Sequence, residues 1–117
     1  MFDKVISKLK TGTIKNVVPY GSPRPTPPYI VVRPEQDSLQ RGRMFRIFVH
    51  YSPGGQALLE DYCFGELVTL LDNYSAEDRK GNVNILLVQQ GYQDIVINND
   101  DGTISMARDF LMPARTF

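Results

Sequence analysis

Apolar positions recur along this chain with two different periods. Between Ser52 and Tyr74, Leu59, Cys63, Leu67, Leu70 and Tyr74 return at helical spacing, flanked by Leu58, Tyr62, Val68 and Leu71. The pattern predicts one long amphipathic helix, with Ser52 as its N-cap and Pro53 at its first position. Its other side carries Glu60, Asp61, Glu66 and Asp72, and no lysine or arginine lies between Ser52 and Tyr74. The helix is therefore expected to be apolar on one face and purely acidic on the other. Phe2, Val5, Ile6 and Leu9 predict a second, short helix, polar at Lys4, Lys8 and Lys10 and ended by Gly12.

The other period is two. From Arg43 to Tyr51, Phe45, Ile47, Val49 and Tyr51 point one way and Met44, Arg46, Phe48 and His50 the other. The first set is expected under the long helix. The second is too mixed for a fully wetted surface and suits a sheet face met by another subunit. Tyr29–Arg33 reads as a strand stopped by Pro34, and Asn84–Gln89 and Asp94–Asn98 as two more. Asn99-Asp100-Asp101-Gly102 is a hairpin turn into a last strand, Thr103–Met112, with Ile104, Met106, Arg108, Phe110 and Met112 on one face and Pro113 at its end. Glu35–Gly42 and Ser75–Asn82 read as polar connectors.

Five prolines fall between Pro19 and Pro28, which predicts an extended arm laid over the domain. These elements predict an α+β fold: a mainly antiparallel sheet of about five strands, packed by one long helix, plus the short N-terminal helix. With 117 residues this is one domain, 1–117, with the arm at 19–28 and a tail at 113–117. The shares of hydrophobic (42%) and charged (22%) residues are those of a globular chain and exclude a disordered one. No apolar run reaches membrane-spanning length, and the first residues, MFDKVISKLK, lack the apolar core of a secretory signal.

Charge adds a polarity that the net value of zero conceals. Residues 1–55 hold nine Lys/Arg against three acids, and residues 56–117 hold four against ten. The halves thus stand at +6 and −6, which suits either head-to-tail contact between copies or neutralisation inside one fold.

Reactive constellations are sparse. His50 is the single histidine and Cys63 the single cysteine, and Cys63 sits amid acids on the apolar stripe, where a thiolate is disfavoured. The neighbouring carboxylates Glu60/Asp61, Glu77/Asp78 and Asp100/Asp101 diverge and do not form a shared acid–base site. Ser52-Pro53-Gly54-Gly55 lacks the lysine of a phosphate loop. Arg41, Arg43 and Arg46 with Phe45 and Phe48 resemble a nucleic-acid patch only loosely, because Phe45 alternates away from Arg46. No catalytic residue, cofactor or metal is expected, and the chain is read as a non-enzyme.

The order of elements, with Pro28-Tyr29-Ile30-Val31-Val32, Arg43–Tyr51 and Arg108-Asp109-Phe110 as landmarks, resembles the tail-terminator and tail-completion (head–tail joining) proteins of long-tailed bacteriophages. The resemblance spans Tyr29 to Met112 and departs from it in the proline-rich arm and short N-terminal helix. It implies a structural virion protein of the tail or neck, assembled in the host cytoplasm. The family forms a homomeric ring, usually of six copies, that ends tube polymerisation and offers a docking surface to the head. Implied partners are further copies, the tail tube protein, the head–tail connector protein, and genomic DNA passing without sequence-specific binding; no membrane is implied. In such a ring Glu60, Asp61, Glu66 and Asp72 are the expected channel-facing acids. Arg41, Arg43, Arg46, Pro25, Arg115 and Phe117 are the expected subunit or ring–ring contacts. The alternatives are a head-side connector or stopper of the same neck, and a small non-viral binding or adaptor domain.

Overall fold

Strict alternation in Arg43–Tyr51 builds the centre of the structure, a computed structural model that describes residues 2–35, 43–72, 74–77, 83–86, 88–92 and 96–112. The elements are α1 (Phe2–Leu9), β1 (Val17–Pro19), β2 (Tyr29–Pro34), β3 (Arg43–Tyr51), α2 (Gln56–Asp61), a π turn (Tyr62–Glu66), α3 (Leu67–Leu71), β4 (Ser75–Glu77), β5 (Val83–Leu86), β6 (Val88–Tyr92), β7 (Ile97–Asn98) and β8 (Ile104–Met112). β3 pairs with β8 along all nine residues, from Arg43 opposite Met112 to Tyr51 opposite Ile104. The main sheet runs β1-β2-β3-β8-β6, with β7 also on β8, and β4 and β5 form a separate pair.

The class is α+β as expected, with a long and a short helix, but the sheet is mixed and not mainly antiparallel. β1 runs parallel to β2, Val17 opposite Ile30, while β2–β3, β3–β8, β6–β8 and β7–β8 are antiparallel. Val17-Val18-Pro19 is too short to show a period, and as an edge strand it tolerates Pro19's missing N–H. A parallel partner requires the chain to turn back, so the proline-rich segment is the return loop between β1 and β2. Asn16, just before β1, holds its far end: its carbonyl accepts from the Ile30 N–H (2.8 Å) and its Nδ2 donates to the Thr26 carbonyl (3.3 Å). Three smaller expectations also change. Ser75–Glu77, read as connector, is strand; the single strand Asn84–Gln89 is the two strands β5 and β6; and of Asp94–Asn98 the described strand is Ile97–Asn98. Residues 36–42 and 113–117 lie outside the described part.

Ser52 does not cap the long helix. Ser52-Pro53-Gly54-Gly55 closes a turn first, with the Gly55 N–H donating to the Ser52 carbonyl (3.0 Å) and Gly54 at φ 92°. Proline followed by a glycine of positive φ is the signature of a type II turn. The helix begins at Gln56, with Gly55 as its N-cap.

From there α2, the π turn and α3 run as one helix. Leu59, Cys63, Leu67 and Leu71 are all fully buried at a strict spacing of four. In a regular α-helix that spacing walks round the axis by about 40° per step, about 120° by Leu71. The π turn, where the Leu67 N–H reaches back to the Tyr62 carbonyl, takes up that drift and keeps all four on the sheet. Deleting exposed Gly65 should therefore be tolerated. The core residues would then fall at i, i+3, i+4, i+7 and i+11, a regular α stripe. Circular dichroism and thermal melting should show a cooperative fold within a few degrees of wild type; loss of the transition would contradict this reading of the π turn.

The core lies between this helix and one sheet face: Ile30 and Val32 of β2, Phe45, Ile47 and Val49 of β3, and Met106 and Phe110 of β8, closed at one side by Val5 and Leu9 of α1. Glu66 ties α1's exit to the helix, its Oε2 accepting from the Thr13 N–H (3.1 Å) and hydroxyl (2.7 Å). Gly12 fits there because a Cβ would stand 2.8 Å from Leu70 Cδ1.

Candidate functional site

The same alternation that fills the core leaves a second sheet face with no described helix upon it. Strand register sets Tyr29, Val31 and Arg33 of β2 beside His50, Phe48 and Arg46 of β3, and these beside Ser105, Ala107 and Asp109 of β8. The return loop forms a wall at one end with Tyr20, Gly21, Ser22 and Arg24, and β7 and its turn form another with Ile97 and Asn99. Between them is a pocket of about 480 Å³, floored by Tyr29, Val31, Arg33, Phe48, His50 and Ser105. Arg24 and Arg33 are its charged side chains, and Tyr20 and Ile97 are large apolar groups exposed at its rim.

Asp101 fixes the wall to the floor. It accepts from the Thr103 hydroxyl (2.6 Å) and N–H (3.0 Å) and from the Tyr29 hydroxyl (2.9 Å), and Arg24 stands 3.1 Å away. Those donors, the Thr103 hydroxyl foremost, hold its carboxyl well below the usual carboxylate range. Tyr29 stacks on His50, ring centroids 4.5 Å apart and 10° from parallel. Burial lowers the His50 pKa against the opposing pull of Asp101, so the ring is neutral near pH 7. The Thr103 hydroxyl oxygen and the Asn99 amide nitrogen lie 3.3 and 3.5 Å from His50 Nδ1, so the ring is held from the turn side as well as by its stack on Tyr29.

Arg33 lies between two rings, 5.5 Å from the Tyr20 centroid and 5.0 Å from that of Phe48, and pairs with Glu35 at 2.7 Å. Arg46, expected as an intersubunit contact, is bidentate to Asp109 of its own chain at 2.7 and 3.0 Å, which raises its pKa. Arg46–Asp109 and Arg24–Asp101 join the basic and acidic halves internally, so part of the charge split is spent within the fold.

Cys63 is not at this site. It is buried on the core side of the sheet, with Tyr51, whereas His50 faces the pocket. Burial pushes its thiol up to about 12, opposed by Arg108. A thiol-labelling reagent at mildly alkaline pH should leave native protein unmodified and react fully in denaturant; fast labelling of the folded protein would contradict this placement. Among the described residues no three His, Cys, Asp or Glu side chains come together as a metal set, and no described helix is long and apolar enough to cross a membrane.

The four acids of the long helix are not equivalent. Asp61 is exposed, Glu60 is half-buried and accepts from Gln56 at 3.3 Å, Glu66 holds Thr13, and Asp72 is half-buried. The outer surface is not purely acidic either: Leu58 and Phe64 are exposed on it, the Phe64 ring lying 4.9 Å from the guanidinium of buried Arg108. Pro25 is half-buried in the return loop. Arg41, Arg115 and Phe117 lie outside the described residues, and Arg43 is placed by its backbone alone, at the start of β3. Sequence reasoning missed Tyr20, Arg24, Arg33, Ile97, Asn99 and Asp101 as one site. The available signal was Tyr29 and Arg33 sharing a face of β2 while β3 offered Phe48 and His50.

No family model and no curated protein matches the chain.

Proposed function

We propose that this chain is a structural virion protein that forms a ring at the head-proximal end of a phage tail tube, ends tube growth and gives the head a surface to dock on. One observation carries the reading. The sheet is covered by helix on one face and bears an amphipathic pocket on the other, so each subunit presents two unlike, interaction-ready sides. Unlike sides are what a heterologous, ring-closing contact requires. The architecture adds support: a main sheet crossed by one long helix matches the tail-terminator likeness better than a barrel-type stopper of the neck.

In this proposal the copies form a hexamer, its partners are the tail tube protein and the head–tail connector protein, and DNA passes through without sequence-specific contact. The test is electron microscopy of purified protein mixed with tail tubes. A ring at one tube end, with elongation stopped, is the expected result. Tubes that stay bare and keep growing would reject it, and a tight one-to-one complex with a basic protein would favour the adaptor reading.

A further inference from the structure

We infer that the pocket receives the outer surface of the long helix of a second copy, Leu58 entering between Tyr20 and Ile97 while Glu60 and Asp61 meet Arg24 and Arg33. This rests on the ring reading and names the surfaces that would close it. Leu58 and Tyr20 are the two most exposed large apolar side chains described, at 61% and 65%, and they lie on opposite faces of the sheet. Each apolar group has charge beside it, of opposite sign on the two faces. The helix side has Glu60 and Asp61 and no basic residue between Ser52 and Tyr74. The pocket's charged lining is Arg24, which stands 3.1 Å from Asp101 and keeps 63% of its side chain accessible, and Arg33, which pairs with Glu35 at 2.7 Å.

Self-pairing of the helix face is disfavoured. Helix on helix sets Asp61 against Asp61 with no basic residue of that segment to offset it, whereas the head-to-tail arrangement sets these acids beside the accessible guanidinium of Arg24. A pocket of about 480 Å³ has room for a large apolar side chain with neighbours. Both faces belong to one chain, which singles out a second copy as the occupant.

The experiment is sedimentation velocity on the full chain across a wide concentration range. Wild type should assemble beyond dimer. Leu58→Asp, which spoils the helix face, should be monomeric, and so should Tyr20→Asp with Arg24→Gln, which spoils the pocket. Mixing the two variants should yield a one-to-one heterodimer and nothing larger, because a single intact pocket–helix pair remains. Circular dichroism checks that each is folded, with Asp61→Arg and Ile97→Asp as second variants for the two faces.

Wild type that stays monomeric, variants that assemble like wild type, or a mixture that forms no heterodimer would overturn the inference. Asp61→Arg rings that assemble normally but retain DNA differently would place Asp61 on the channel and overturn it too. Assembly through these faces by a protein that ignores tail tubes would keep the interface and remove the ring-on-tube reading. Tube capping that survives loss of both faces would do the reverse.

Discussion

Phe110→Ala should cost about 3–5 kcal/mol of folding stability, a fall in melting temperature of roughly 10–20 °C. Phe110 of β8 is fully buried directly opposite fully buried Phe45 of β3, in the longest strand pair of the sheet and beneath the helix. The cavity would be walled by three elements that pack against other partners, so it collapses poorly, and the loss includes both the buried area and the void. Leu111→Ala is the control. One residue on, Leu111 is half-buried on the opposite face, and its truncation should cost less than about 1.5 kcal/mol. Equal effects from the two would contradict the assigned alternation of β8. Thermal and urea unfolding of both variants makes the comparison.

Asp101→Ala should cost about 2 kcal/mol and open the pocket, because it removes the acceptor shared by Tyr29, Thr103 and Arg24. The same carboxylate sets an acid limb to stability. Its folded pKa is depressed, so its contribution is whole above the ordinary value of 3.8 and is lost as pH falls through the lower folded value. His50 acts in the same direction in a higher window. Its pKa is also lowered from 6.5, so the unfolded chain takes up the proton first and stability falls as pH drops below 6.5. Stability measured against pH should therefore decline in two stages. Asp101→Asn should flatten the lower one and His50→Gln the upper. A wild-type profile flat from pH 7 to pH 4 would contradict the burial of His50.

Part of this fold is legible in the sequence. β3 was legible residue by residue, because its two faces differ sharply in polarity and it keeps strict period two over nine positions. The hairpin at Asn99–Gly102 was legible from turn chemistry, and Gly102 does adopt φ 84°. β1 was not, since three residues carry no period and its pairing depends on where the proline-rich loop returns. The π turn was present in the four-residue spacing of Leu59, Cys63, Leu67 and Leu71, but each step taken singly also fits an α-helix. Pro53 at a helix start and Pro53 at the second position of a type II turn look alike until Gly54 is weighed with it.

The pocket was the least legible part. Its residues come from four separate stretches, and only register brings Tyr29 onto His50 or Asp101 under Tyr29. Arg46 depends on register in the same way: its partner Asp109 is known only once β3 is set beside β8. The outer face of the helix is hard to read for another reason: Leu58 falls in beside the apolar stripe by spacing and Phe64 belongs to no period, yet both are exposed and give that face something apolar to dock.

Native mass spectrometry of the purified wild-type chain bears hardest on whether this protein works by packing unlike faces of identical subunits. A closed species at six times the 13.3 kDa chain mass, with no open series of larger oligomers, is the outcome expected. A monomer at every concentration would contradict it.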